Sequence, residues 1–125
     1  MEELTVTKVI QIHDFLIEMT GGSPGIRDPA TLHFLVEAIN RETDSFRKAA
    51  QALFLADRHP FWDGQKRTAF ELADLILREN GYRFNRDDKA EIMRMMIRIA
   101  EYECPEGEEI DRIAQWIKKK ALLSE

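Results

Sequence analysis

The stretch His59-Pro60-Phe61-Trp62-Asp63-Gly64-Gln65-Lys66-Arg67 concentrates the groups from which phosphate chemistry can be built. His59 carries the one common side chain that titrates near neutral pH, so it can take up and return a proton. Asp63 offers hard carboxylate oxygens of the kind Mg2+ uses beside substrate phosphates. Gly64 has no side chain, so a phosphate can approach the backbone closely. A helix is predicted to start at about Gln65, and its first N–H groups carry the positive end of the helix dipole, a ready anion site. Lys66 and Arg67 fall in that first turn, where cations disfavour the helix unless a bound polyanion offsets them. Phe61 reads as a plug that fixes the loop on the core. A base, a metal carboxylate, a phosphate cradle and two cations are the parts that phosphoryl or nucleotidyl transfer needs. The same residues also suit a plain role. His59 can cap the helix before it, Asp63-Gly64 can form an N-cap and turn, and Lys66 and Arg67 can be solvated; spacing by itself leaves both open.

These residues need a frame, and hydrophobic periodicity predicts one made of helices. From about Thr5 to Thr20, Leu4, Val6, Val9, Ile10, Ile12, His13, Leu16, Ile17 and Met19 recur at helical spacing between a Thr5 or Thr7 cap and a Gly21-Gly22 stop. After the loop at Ser23 to Arg27, Asp28-Pro29 reads as an N-cap and favoured first helical residue, opening a second helix to Asn40 or Arg41. A third begins near Asp44 or Ser45. Its Ala49, Ala50 and Ala56 allow close approach, which places it centrally, and it must end before Pro60. The fourth, from about Gln65 to Asn80, is apolar on most sides and therefore buried. Tyr82-Arg83-Phe84 reads as an extended link. Asp87 or Asp88 caps a fifth helix whose Ile92, Met93, Met96 and Ile97 read as core filler. After a break at Pro105 to Glu108, Ile110, Ile113, Ala114, Trp116 and Ile117 mark a last amphipathic helix, with Lys118, Lys119 and Lys120 solvated in its final turn. Strand signals are weak. The predicted fold is all-α: one domain over residues 1–125, a bundle of about six helices with the motif loop between helices three and four.

Composition narrows the function classes. A length of 125 residues suits one domain, and 44% hydrophobic with 33% charged residues argues against disorder. A net charge of −5 disfavours sequence-independent nucleic-acid binding, so no direct nucleic-acid partner is expected. No apolar run reaches membrane-spanning length, and Met1-Glu2-Glu3-Leu4 is unlike a signal peptide; a cytoplasmic protein without a membrane partner is expected. The single cysteine, Cys104, excludes an intrachain disulfide and fits a reducing compartment; no metal-type or nucleophile-type spacing accompanies it. His13, on the apolar side of helix one, reads as a packed, hydrogen-bonded histidine. Arg27 and Asp28 read as braces for the loop, and Trp62 as its cover.

The segment His59 to Arg67 resembles the signature of the Fic/Doc family, His-x-Phe-x-(Asp/Glu)-Gly-Asn-(Gly/Lys)-Arg, with matches at His59, Phe61, Asp63, Gly64, Lys66 and Arg67. His13-Asp14, the run from Gly21-Gly22 to Gly25-Ile26-Arg27-Asp28, Thr68-Ala69, Asn80-Gly81 and the chain length resemble the short "death on curing" branch. The resemblance implies a Fic-like helical core. In it His59 deprotonates a Ser, Thr or Tyr hydroxyl of a target protein, and Asp63 holds Mg2+ against the phosphates of ATP or another nucleoside triphosphate. Gly64, Gln65 and Lys66 form the anion nest, and Arg67 pairs with a further phosphate.

Departures from the pattern refine that expectation. Gln65 replaces the family's Asn, which keeps the amide but moves it by a methylene. Adenylyl-transferring members read Gly-Asn-Gly-Arg-x-x-Arg, whereas here Lys66 replaces the second Gly and Phe70 the second Arg. The resemblance to the short branch thus implies phosphoryl transfer. Adenylyl transfer (AMPylation) and a Fic-fold nucleotide- or protein-binding module weakened by Gln65 are the alternatives. The chain lacks the (Ser/Thr)-x-x-x-Glu-(Gly/Asn) motif of self-inhibited members. By resemblance it is a toxin controlled by an antitoxin in trans, with a translation elongation factor as target. Arg41 to Ser45 leaves little room for the family's target-docking flap.

Overall fold

The computed structural model describes residues 3–101 and 106–123. Helix α1 spans Val6–Thr20 and is capped by Thr5, whose hydroxyl accepts from the Lys8 N–H. Helix α2 spans Pro29–Arg41, with Asp28 as N-cap and proline in the first turn. Helix α3 spans Ser45–Leu53 behind an Asp44 cap. In each case the side-chain oxygen satisfies an N–H that the helix itself leaves free.

The predicted third helix is split in two. Phe54, at φ −66° and ψ −13°, donates its N–H to the Gln51 carbonyl, and a short α4, Leu55–Arg58, restarts the ladder with Asp57 and Arg58 N–H groups on the Phe54 carbonyl. Neither proline nor glycine marks this break. Helix α5 spans Gln65–Glu79, so the motif loop lies between α4 and α5. The expected link after α5 is a strand, β1 at Tyr82–Arg83, paired antiparallel with β2 at Leu122–Leu123. Two-residue strands leave no periodicity to read. Asn85 caps a 3-10 turn, Arg86–Asp88, by accepting from the Asp87 N–H, and α6, Lys89–Glu101, follows directly after Asp88. Helix α7 spans Glu106–Lys120, so it starts earlier than predicted; Cys104 and Pro105 lie outside the described residues. The lysine end of α7 is not wholly solvated, because Lys120 Nζ donates to Glu91 at 2.9 Å.

Helices α3 and α5 form the centre, and α7 packs on α3. Ala49, Ala50 and Ala52 of α3 and Ala69, Leu72, Ala73 and Ile76 of α5 are buried. The large fully buried side chains, Leu53, Phe70, Leu77 and Phe84 among them, each contribute on the order of 2 kcal/mol. One buried charge anchors the far end of α5. Asp74 accepts from the Phe84 N–H at 2.9 Å, from Arg78 Nε at 2.9 Å and from Arg86 Nη2 at 2.9 Å. This rigid centre presents the start of α5 at one end of the bundle. Among the described residues no helix is long and apolar enough to cross a membrane.

Candidate active site

Helix α4 ends at His59 in the left-handed region, φ 51° and ψ 53°, the one non-glycine residue with positive φ among those described. Such a conformation costs roughly 1–3 kcal/mol and persists where surrounding bonds enforce it. Those bonds come from residues 25–28. Arg27 Nε donates to the His59 carbonyl at 2.8 Å. The N–H groups of Arg27 and Asp28 both donate to the Pro60 carbonyl, at 2.8 and 3.0 Å. Ile26 bridges Phe61, and the Trp62 N–H donates to Gly25 at 3.3 Å. The chain therefore zips its motif loop onto the segment just ahead of α2, and Arg27 braces the loop as the sequence suggests.

Beneath the loop, Phe61 is buried and stacks flat on the His13 ring, with centroids 3.7 Å apart and planes 4° apart. His13 Nε2 sits 2.7 Å from the Asp63 carbonyl oxygen, which makes Nε2 the protonated nitrogen and donor. His13 Nδ1 faces Asp14 at 3.7 Å. His13 is thus a packed, hydrogen-bonded histidine that ties α1 to the loop. Gln65, 7% exposed, turns its amide away from the cleft. Its Oε1 accepts from the Phe61 N–H at 3.3 Å and its Nε2 donates to the Phe61 carbonyl. Gly64 is buried as well. A Cβ there would lie 3.2 Å from Ile17 Cδ1 and 3.5 Å from His13 Nε2, so the space it leaves is used by α1, whereas the sequence suggested approach by a phosphate.

The remaining motif groups face the cleft. The His59 imidazole is exposed and makes no hydrogen bond among the described residues. The Asp63 carboxylate is exposed; Oδ1 accepts from the Gly64 N–H at 2.8 Å and Oδ2 from the Ser23 N–H at 3.2 Å. These bonds, Gly64's first, hold its pKa below the ordinary 3.8, with Arg67 and His13 adding to the effect. The first bond of α5 runs from the Thr68 N–H to the Gly64 carbonyl, so the N–H groups of Gln65, Lys66 and Arg67 precede the helical ladder. Lys66 is exposed. Arg67 reaches back to the end of α1, donating through Nη1 to Thr20 Oγ1 and through Nη2 to the Gly21 carbonyl at 3.2 Å.

Around these groups lies an opening of about 480 Å3, lined by Ala56, His59, Trp62, Asp63, Gly64, Gln65, Lys66, Arg67 and Met93. Every residue the sequence nominates borders this one cleft. A groove of similar volume, about 460 Å3, runs between α1 and α5 past Ile12, Phe15 and Leu75; its Glu71 and Arg78 are already engaged with Arg86 and Asp74. Sequence reasoning missed Met93, which it gave to the core, and the role of Thr20, Gly21 and Ser23, which it read only as the end of α1 and a loop.

The donor set fits a metal ion shared with a substrate. Among the described residues no group of three or more His, Cys, Asp or Glu could enclose a cation. Asp63 stands alone as a well-ionised carboxylate on the cleft, and Mg2+ is the ion that takes one or two carboxylates together with phosphate oxygens.

Comparison with known proteins agrees with this geometry. The model of the Fic/DOC family matches residues 3–77, which carry α1 to α4, all but the last two residues of α5 and the whole cleft loop. The chain is also 34% identical, over 88 residues, to a protein named protein kinase doc from Escherichia phage P1, covering 65% of this chain and 70% of that relative. With a helical core, the motif loop at the mouth of its central helix and these two matches, the chain belongs to the Fic/DOC family.

Proposed function

We propose that this chain is a Doc-like transferase that moves the γ-phosphoryl group of ATP, or another nucleoside triphosphate, to a Ser, Thr or Tyr hydroxyl of a target protein. The observation that carries the reading is the cleft itself: an unpartnered imidazole, an ionised carboxylate and a free helix start with two cations share one opening. The kinase named among its relatives supports the phosphoryl form.

His59 accepts the proton of the incoming hydroxyl as its oxygen bonds to the γ-phosphorus. The bond from that phosphorus to the β-phosphate oxygen breaks, and the nucleoside diphosphate leaves. The N–H groups of Gln65 and Lys66, with the Lys66 ammonium and Arg67 guanidinium, stabilise the charge that spreads over the phosphate oxygens. Asp63 would hold Mg2+, which supplies further charge neutralisation when bound. Phe70 also favours phosphoryl over adenylyl transfer. It lies fully buried against Phe84, so α5 has no second arginine to place on an α-phosphate at that turn. As a member of the short branch, the protein acts as a toxin, restrained by a separate antitoxin, and a translation elongation factor is the first target to assay.

The test is transfer of label from ATP carrying it at the γ or the α phosphate, with Mg2+ and a cell lysate. Label on a protein from the γ position alone, lost in His59→Ala, supports the proposal. Label from the α position replaces it with adenylyl transfer. ATP binding with no label from either position replaces it with a binding module.

A further inference from the structure

We propose that the turn Thr20-Gly21-Gly22-Ser23 is the positioning element of the cleft, and that Gly22 sets the orientation of the Asp63 carboxylate. The inference rests on the reading of Asp63 as a metal carboxylate. This turn ends α1 and lies about forty residues from the motif in sequence, yet it touches both charged groups that flank the start of α5.

Two contacts define it. The Ser23 N–H donates to Asp63 Oδ2 at 3.2 Å, while Gly64 takes Oδ1 at 2.8 Å, so the carboxylate is gripped by one N–H on each oxygen. On the other side, Thr20 Oγ1 and the Gly21 carbonyl accept from Arg67. The Thr20 hydroxyl is itself fixed, since it donates to the Leu16 carbonyl at 2.6 Å.

Gly22 lies directly against the gripped oxygen. A Cβ on Gly22 would stand 2.7 Å from Asp63 Oδ2, closer than carbon and oxygen can pack, 3.0 Å from Ile17 Cδ1 and 3.2 Å from Asp63 Cγ. The backbone N–H of Ser23, the next residue, is what holds that oxygen, so neither side can yield without breaking the bond. A side chain at Gly22 therefore presses on the carboxylate, which stands nearest, and on the Ile17 methyl beside it. Gly21 provides the internal contrast. It too has positive φ, 85° against 118° for Gly22, but a Cβ there would meet nothing within 4 Å. The two glycines thus share the backbone demand, and only Gly22 adds a steric demand on Asp63.

The consequence is a division of labour. Gly22 and Ser23 are positioning residues that act through Asp63; Thr20 and Gly21 position Arg67. The experiment measures ATP binding by calorimetry, with saturating Mg2+ and with EDTA, for the wild type, Gly21→Ala, Gly22→Ala, Ser23→Pro and Asp63→Asn. Ser23→Pro removes the N–H donor and puts the ring Cδ where the hydrogen pointed, a second way of releasing the Asp63 oxygen that leaves Gly22 in place, so it keeps the test open if Gly22→Ala does not fold. The wild type is expected to bind ATP more tightly with Mg2+. Gly22→Ala and Ser23→Pro are expected to lose about tenfold of that Mg2+-dependent gain, the effect of one hydrogen bond to a charged group, while keeping their affinity in EDTA. Gly21→Ala is expected to weaken ATP binding by a similar factor with Mg2+ and with EDTA, because it acts through backbone strain and the Arg67 contact and leaves the Asp63 grip untouched, so its Mg2+-dependent gain is kept. An equal loss of the Mg2+-dependent gain in Gly21→Ala and Gly22→Ala would show that only backbone strain matters and would overturn the inference. A full Mg2+ gain in both Gly22→Ala and Ser23→Pro, with the gain lost in Asp63→Asn, overturns it while leaving the metal reading intact. A wild type with no Mg2+-dependent gain removes the metal reading and the inference with it.

Discussion

The side-chain amide of Gln65 closes on the backbone of Phe61, taking its N–H at 3.3 Å and giving a hydrogen to its carbonyl. Gln65 thereby works as a clip across the loop. Gln65→Ala should leave both Phe61 groups buried and unsatisfied and lower stability by about 2 kcal/mol. Gln65→Asn, one methylene shorter, should reach only one of them and fall in between. Gln65→Glu should be as harmful as alanine at neutral pH, because a carboxylate cannot donate to the Phe61 carbonyl. Denaturant unfolding of the three variants checks the order.

His13 combines a flat stack on Phe61 with a hydrogen bond to the Asp63 carbonyl. His13→Phe keeps an aromatic ring there and removes the donor. The expected outcome is a loss of about 1 kcal/mol in stability and weaker ATP binding, since α5 starts two residues beyond Asp63. Unchanged ATP affinity in a destabilised His13→Phe would limit the residue to packing.

Lys66 is exposed in the first turn of α5. Cations there oppose the helix dipole. Lys66→Ala should therefore leave Tm unchanged or slightly higher while ATP affinity falls, with a weaker salt dependence. A parallel loss of Tm and affinity would point to a structural role.

Asp74 satisfies the buried Phe84 N–H and pairs with Arg78 and Arg86. Glu71 chiefly, with Asp74, raises the Arg86 pKa still further. Asp74→Ala strands that N–H and should cost about 3 kcal/mol, a value reduced for the half-exposed arginines. Equilibrium unfolding tests it, and ATP affinity of the folded fraction should hold.

Asp28 caps α2 by accepting from the Thr31 hydroxyl at 2.7 Å and the Thr31 N–H at 3.2 Å, which lowers its pKa from 3.8, the hydroxyl bond being the larger cause. A depressed folded-state pKa means that the stabilisation is complete above the unfolded value and is lost as pH falls through the folded one. Asp28→Ala should lower Tm at pH 7, and the gap from wild type should narrow only below about pH 4. A gap that stays constant down to about pH 2 would assign the effect to something other than the ionised cap.

Local rules determined much of this protein. Asp28 is the N-cap the sequence places, Thr5 is one of its two candidates, and α3 starts at Ser45 within the expected bounds, because capping needs only a short polar side chain before an apolar repeat. The helical bundle, the central third and fourth helices and the motif loop before Gln65 follow from periodicity and from Pro60. His59 to Arg67 marked the cleft because residue type and spacing carry the chemistry. Long-range geometry decided most of the rest. The break at Phe54 rests on local hydrogen bonds that no proline or glycine announces, while the pairing of Tyr82–Arg83 with Leu122–Leu123 and the left-handed turn at His59 depend on partners remote in sequence. So do the directions of the side chains: Gln65 folds inward onto Phe61, Arg67 reaches to Thr20, and Ser23 grips Asp63. A linear pattern states which groups exist and how far apart they lie along the chain. Which hydrogen-bond partner each group meets is settled only when α1, α5 and the loop pack together, because each buried donor and acceptor must then find its partner within that one arrangement.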